Sequence, residues 1–319
     1  MDLKQAIQEF LEGYFSTHDQ RKKTRAAYAT DLKQFLDSGG KDTVLSSLSA
    51  ADIERWAAHL RHQEYLPTSI RRKIAVLKVF CSYWLRKGEL KESPFWRVKL
   101  SIGRIQQLPR SLTESEMEAL FAQARQNQVD RNSSRRDSGN RRNEWRRYRL
   151  LRNLAIVDLL FATGMRVGEA SALNLDDFAV QEGVFAIEGK GGRHRLAFAV
   201  HQNTLQVQKD HLEARIGLKA DVPALFLNAS RKRLSTQGMT KMIAKLKTEA
   251  GIQRHVTPHM LRHTVATLLL RNGADIRIVQ EFLGHASIAT TQRYTHVTKE
   301  HLIGALRKYH PSMSLRLAG

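Results

Sequence analysis

Thr257-Pro258-His259-Met260-Leu261-Arg262-His263-Thr264 opens a helix whose first turn carries chemistry. Thr257 is a natural N-cap, and Pro258 suits the first helical position, where a missing N–H loses nothing. Met260, Leu261, Val265, Leu268 and Leu269 continue at helical spacing, and Gly273 closes the run. His259 and Arg262 are three apart and share a face. Both lie in the first turn, where free N–H groups and the positive helix end favour anions. A histidine beside a guanidinium suits a phosphate there; the pair reads equally as a capping or surface pair.

Working outward, each further candidate is modest by itself. Downstream, Phe282-Leu283-Gly284-His285 reads as a helix ended by glycine. Tyr294 follows in Thr290-Thr291-Gln292-Arg293-Tyr294-Thr295-His296, one of seven tyrosines, and a lone tyrosine is ordinarily a half-buried packing residue. Upstream, Ala162-Thr163-Gly164-Met165-Arg166-Val167-Gly168-Glu169 leaves a buried helix over about 154–163. Arg166 alone reads as a charge at a helix start, and Glu169, three residues on, is placed to orient it. Gly183–Ile187 and Arg195–Val200 flank Gly189-Lys190-Gly191-Gly192, a hairpin with a glycine-rich turn. Lys190 alone is an ordinary turn lysine. Helices are expected again from Ser235.

Residues 1–98 read as helical throughout. Ala6, Ile7, Phe10, Leu11 and Tyr14 keep helical spacing, as do Tyr28, Leu32, Phe35 and Leu36, then Ile53, Trp56, Ala57 and Leu60. Ser49 and Asp52 form a capping-box pattern, and Pro67-Thr68 start a fourth helix that Gly88 follows. Four helices with short loops make a small bundle. Residues 99–111 are a linker near Pro94 and Pro109, and a second domain of mixed α+β character, mainly helical with a small antiparallel sheet, fills 112–319. Thr113 and Glu116 mark its first helix.

The 319 residues carry 52 Lys and Arg against 31 acids, a formal charge of +21. Such a field attracts polyanions, and nucleic acid is the expected partner. Arg71-Arg72-Lys73 reads as a DNA-facing helix start or a solvated helix face. From 125 to 152 ten arginines stand against Asp130, Asp137 and Glu144. An arginine-rich insertion over about 125–147, with a mobile loop expected at its middle, 132–140, reads as a solvated insertion or a phosphate-gripping arm, with Arg135, Arg136, Arg141 and Arg142 at its centre; guanidinium geometry suits phosphate. The single cysteine, Cys81, forms no internal disulfide and reads as a buried thiol. The N-terminus lacks a signal-peptide pattern and no apolar run spans a bilayer. A cytoplasmic, nucleoid-associated protein without a membrane partner is expected.

Taken in order, Arg166, Lys190, His259, Arg262, His285 and Tyr294 resemble the active-site set of the tyrosine recombinases (phage integrases and Xer-type recombinases). The local contexts match as well: Ala162–Glu169 resembles the first arginine motif, Thr257–Thr264 the His-x-x-Arg motif, Leu283–His296 the segment of the nucleophile, and Gly189–Arg193 the hairpin of the catalytic lysine. The N-terminal bundle resembles the family's SAM-like core-binding domain, so the resemblance covers nearly the whole chain. The arginine-rich stretch looks longer than in housekeeping Xer proteins, which points to integration, excision or resolution of a mobile element over chromosome-dimer resolution.

The resemblance implies a site-specific recombinase that acts through a 3′-phosphotyrosine intermediate and a Holliday junction. It implies Tyr294 as nucleophile, Arg166 and Arg262 as clamps on the phosphate oxygens, His259 and His285 as hydrogen-bonding groups with His259 also accepting a proton, and Lys190 as the acid for the departing 5′-oxygen. Glu169 supports Arg166. No cofactor and no metal is expected, since the covalent link conserves the ester energy. The implied partners are double-stranded DNA with inverted-repeat core sites and a homotetramer, a dimer on each site. Two alternatives stand beside it: a type IB topoisomerase-like enzyme that relaxes DNA, and a non-catalytic DNA-binding regulator. The final helix, about 298–307, presents Leu302, Ile303 and Leu306 on one face and packs on its own domain or on a neighbour.

Overall fold

A computed structural model describes residues 1–17, 22–40, 44–103, 111–132, 141–188, 194–284 and 299–313. The chain divides into two compact units, Met1–Gln107 and Leu108–Gly319.

In the first unit, α1 (Leu3–Thr17), α2 (Lys22–Phe35), α3 (Ala50–His62) and α4 (Pro67–Arg86) form the expected bundle. Its apolar positions converge on one core that includes Leu3, Phe10, Leu32, Phe35, Ile53, Trp56, Leu77, Phe80 and Trp84. Phe10 meets Phe80 and Tyr83 edge to face, at 5.4 and 5.2 Å between ring centroids, a favoured aromatic geometry. The Ser49 N–H donates to Asp52 at 2.9 Å and starts α3 as its sequence pattern requires. Gly88 follows α4 at φ +77°, the left-handed turn that stops a helix. Cys81 is buried, and burial pushes its thiol up to about 12.

The second unit is mainly helical and carries one three-stranded antiparallel sheet among the described residues. Its order is α5 (Glu114–Asn132), α6 (Arg141–Thr163), α7 (Val167–Ala172), β1 (Phe178–Ala179), β2 (Val184–Glu188), β3 (His194–Phe198), α8 (Gln202–Gly217), α9 (Thr236–Glu249), α10 (Pro258–Arg271), α11 (Ile276–Leu283) and α12 (Lys299–Tyr309). The register pairs Phe185 with Ala197 and Ile187 with Arg195. The Thr113 N–H donates to Glu116 at 2.8 Å and the Glu116 N–H to the Thr113 hydroxyl at 3.1 Å, so α5 begins with a capping box. The Leu112 N–H donates to the Thr264 hydroxyl at 2.7 Å and ties the unit's entry to α10.

Two expectations change. Helices return at Gln202, well before Ser235, because α8 hides its inner face from a hydrophobicity reading: Thr204, Gln208, His211 and Arg215 are the buried positions, at helical spacing but all polar. Three of the four find partners: Thr204 reaches Asp158 at 3.3 Å, Gln208 donates to the Ala155 carbonyl at 2.9 Å, and Arg215 to the Ala224 and Val222 carbonyls at 2.9 and 2.6 Å, while the His211 ring packs against Phe226 and Tyr148. Within the arginine-rich stretch α5 runs through Asn132 and α6 starts at Arg141, and the rest of the expected loop, 133–140, lies outside the described residues. A third strand, β1, joins the hairpin, with Phe178 stacked on Phe185 at 4.1 Å. The last helix packs on its own unit, with Leu302, Ala305 and Leu306 in the main core.

In the bundle, Lys73 and Asp31 are 4% and 2% exposed and 2.8 Å apart. Removing one member strands a buried charge. Asp31→Ala is therefore expected to destabilise the protein by about 3 kcal/mol, measured by chemical denaturation of the full chain. Asp158 on α6 is buried, and burial raises its carboxyl to about 6, against hydrogen bonds from Gln208 and Thr204 and the nearby Arg125 charge. A raised carboxyl pKa means the folded state favours the protonated form. Stability relative to Asp158→Asn should then fall between pH 4 and 7, by about 2–3 kcal/mol, in melts recorded across that range.

Candidate active site

The site begins where α6 ends. Thr163 turns its hydroxyl back to the Leu159 carbonyl at 2.6 Å, and Gly164 takes φ +57°. A Cβ on Gly164 would lie 2.7 Å from the Phe282 ring, so both conformation and space demand glycine. The turn delivers Arg166 to the N-cap of α7. Its N–H donates to Glu169 Oε2 at 2.7 Å and its guanidinium to Oε1 at 2.8 Å. Arg166 stays 43% exposed while Glu169 is 9% exposed, so the carboxylate forms a buried seat for a guanidinium that faces solvent.

Arg262 comes from the first turn of α10, with Thr257 accepting from the Met260 N–H at 3.3 Å. It is 7% exposed and donates to the Gly164 carbonyl at 2.5 Å and the Leu283 carbonyl at 2.6 Å. It thereby joins the turn before Arg166 to the end of α11. Gly284 caps α11 in the left-handed conformation at φ +62°, and His285 is the next residue. His259 is exposed, one turn from Arg262 on the same helix.

A residue outside the sequence-derived set completes the cluster. Arg195 on β3 donates to Glu169 Oε2 at 2.9 Å and to the Phe282 carbonyl at 3.3 Å. Sequence reasoning misses it because the apolar residues of β3 dominate the reading of that strand. The strand turns Leu196 outward, 46% exposed, and sets Arg195 opposite the buried Ile187. The available signal is a strand arginine close to a lysine-bearing turn.

The net charge of the cluster is positive. Burial would raise the Glu169 carboxyl, but the Arg166 N–H, the Arg195 charge and hydrogen bonds from both side chains outweigh it and hold the carboxyl below its usual range. Burial lowers Arg262 to about 10, aided by Arg166 and Arg195 and opposed by Glu169. Two guanidinium groups thus share one carboxylate with a third, Arg262, held nearby on backbone carbonyls, and the excess positive charge favours an anion.

Lys190, His285 and Tyr294 lie outside the described residues, as do Arg135 and Arg136. Arg141 is the first residue of α6, and Arg142 beside it is exposed. The triplet Arg71-Arg72-Lys73 is not one basic face. Lys73 points inward to Asp31 and Gln34, because α4 turns that position to the core, and this corrects its place among DNA-facing residues. Arg71 and Arg72 are exposed. Arg72 also pairs with Asp31, and Arg71 holds the carbonyls of Ile102 and Gly103 at 2.8 and 2.9 Å. Among the described residues no cluster of metal-ligating side chains forms, and no helix is long and apolar enough to cross a membrane.

A basic helical bundle followed by a helical unit with clustered arginines defines a class, and sequence comparison agrees. Residues 110–301 match the phage integrase family, and residues 7–88 match the phage integrase N-terminal SAM-like domain. The chain is 34% identical over 312 residues to the tyrosine recombinase XerC of Listeria monocytogenes serotype 4a, covering 95% of this chain and 97% of that one. It is also 34% identical over 311 residues to the tyrosine recombinase XerD of Halalkalibacterium halodurans, covering 96% and 97%. In fold it is similar to a lambda integrase solved as a tetramer bound to a Holliday junction, with a TM-score of 0.67 at 16% identity over 92% of this chain and 80% of that one. The chain belongs to the phage integrase family and is a tyrosine-type site-specific recombinase.

If Glu169 holds Arg166 in place, Glu169→Gln should slow DNA cleavage by about 10- to 100-fold, because small misplacements of a clamp are costly to rate. Binding should hold. Single-turnover cleavage alongside a filter-binding titration checks both.

Proposed function

We propose that this protein cuts and rejoins duplex DNA through a covalent 3′-phosphotyrosine at Tyr294. The observation that carries the reading is the convergence of Arg166 and Arg262 on the Gly164 turn and Glu169, with His259 one turn away. Attack by the Tyr294 oxygen on phosphorus adds negative charge to the non-bridging oxygens, and fixed guanidinium donors stabilise that charge as it develops. His259 takes the phenol proton; a histidine exchanges protons readily near neutral pH. The bond from phosphorus to the 5′-oxygen breaks, and Lys190 supplies the proton that leaves a 5′-hydroxyl. His285 adds a hydrogen bond to the phosphate. Attack by another strand's 5′-hydroxyl reverses the step and passes through a Holliday junction. One ester replaces another, so the exchange needs no cofactor.

The substrate in this reading is double-stranded DNA with inverted-repeat core sites, held by a tetramer with a dimer on each site. The charge of +21 supports a DNA partner, and the tetramer follows the lambda integrase likeness. The biological role proposed is integration, excision or resolution of a mobile element, supported by the arginine density around 125–152. Arg71, Arg72, Arg135, Arg136, Arg141 and Arg142 are the proposed phosphate contacts. The SAM-like region, the linker and the catalytic region then correspond to 1–98, 99–111 and 112–319.

Tyr294→Phe is expected to abolish covalent capture of cellular DNA while leaving binding intact; sequencing the trapped ends of the unaltered protein would define the site. Capture that survives the substitution overturns the assignment. Neutralising Arg135, Arg136, Arg141 and Arg142 together should lower affinity and reduce the slope of log affinity against log salt by about 3–4. Titrations at several salt concentrations read this slope, and an unchanged slope removes the segment from the interface.

A further inference from the structure

Arg195 is bound into the site differently from Arg166 and Arg262. Its two terminal nitrogens hold two separate elements, α7 through Glu169 and the end of α11 through the Phe282 carbonyl. Its stem occupies the space beside Gly284, where an added Cβ would lie 2.5 Å from Cδ and 2.7 Å from Nε. Its Nε is buried without a hydrogen-bond partner, a cost borne while the rest of the head serves its two acceptors. It is 18% exposed, against 43% for Arg166, so it faces the protein more than solvent. The links form a chain: Arg166 to Glu169, Glu169 to Arg195, Arg195 to Phe282, and adjacent Leu283 to Arg262.

From this geometry we infer that Arg195 is a positioning residue for DNA cleavage, setting Arg166 and Arg262 at the separation that one phosphate requires. The inference rests on the phosphotyrosine reading above. Arg195 touches neither DNA nor nucleophile in this scheme. It acts on the carboxylate that seats Arg166 and on the backbone that Arg262 grips. Arg262 ties the turn into α7 to the end of α11, and Arg195 adds a second tie that holds both to the hairpin strand. A clamp held by shared acceptors needs no reorganisation as charge develops on the phosphate.

The test compares Arg195→Ala with Arg166→Ala in single-turnover cleavage of two duplexes. Both carry the site mapped by covalent capture, one with the natural scissile phosphate and one with a neutral methylphosphonate there. A neutral centre makes less demand on a positive clamp. Arg195→Ala should cut the natural duplex roughly 30-fold more slowly, as expected for a displaced catalytic group, with DNA affinity within about twofold. Its deficit should shrink on the methylphosphonate, as for Arg166→Ala. Arg195→Lys, which keeps the charge but reaches one acceptor, should fall between, and it carries the comparison if the alanine variant melts early. Equal slowing on both duplexes would mean a merely structural arginine, and unchanged cleavage would mean no role; either overturns the inference. Absence of any Tyr294-dependent covalent complex with the unaltered protein would instead overturn the phosphotyrosine reading.

Discussion

The catalytic unit depends on a buried arginine that satisfies backbone instead of an acid. Arg262 gives its terminal nitrogens to the carbonyls of Gly164 and Leu283, each at the end of a helix where carbonyls lack intrahelical partners. One side chain thereby meets the hydrogen-bonding needs of two helix ends and draws α10, the turn into α7 and the end of α11 to a common point. Removing it would leave two carbonyls without those donors in a poorly hydrated place, a larger loss than that of two ordinary hydrogen bonds. The guanidinium proposed to clamp the phosphate is thus the same one the fold needs.

This arrangement explains why positive charge can be concentrated so tightly. Like charges at short range repel, and burial penalises each of them further. Glu169 reduces the repulsion by serving Arg166 and Arg195 together, and the carbonyl dipoles reduce the remainder around Arg262. The cluster remains net positive, as the proposed phosphate clamp requires. Its geometry is set before any ligand arrives, which separates a preorganised site from a merely basic surface.

Much of this was legible in the sequence. The four helices of the first unit, the capping patterns at Ser49 and Thr113 and the N-cap at Thr257 follow directly from residue chemistry, because apolar spacing and local hydrogen bonding decide them. The order of the site motifs pointed to the family. What stayed hidden was polar and buried. Helix α8 sets Thr204, Gln208, His211 and Arg215 inward, so a search for apolar spacing passes over it. Arg195 takes an inward strand position that an apolar residue would normally hold, while Leu196 faces out. Lys73 has the look of a surface cation until Asp31 is seen beside it. In each case the deciding partner lies far along the chain, beyond the reach of local pattern.

The polar stripe of α8 has a mechanical consequence. Two helices joined by apolar surface alone can slip by a turn and still bury similar area, since hydrophobic contact is not directional. Hydrogen bonds do not permit that slip. Gln208 reaches the Ala155 carbonyl on α6, and Thr204 reaches Asp158, so α8 meets α6 in one register. The chain enters α8 a few residues after the strand of Arg195 and leaves α6 a few residues before Arg166. The α6–α8 pair therefore works as an index, like a keyed shaft, fixing how far apart the two arginines that share Glu169 are delivered.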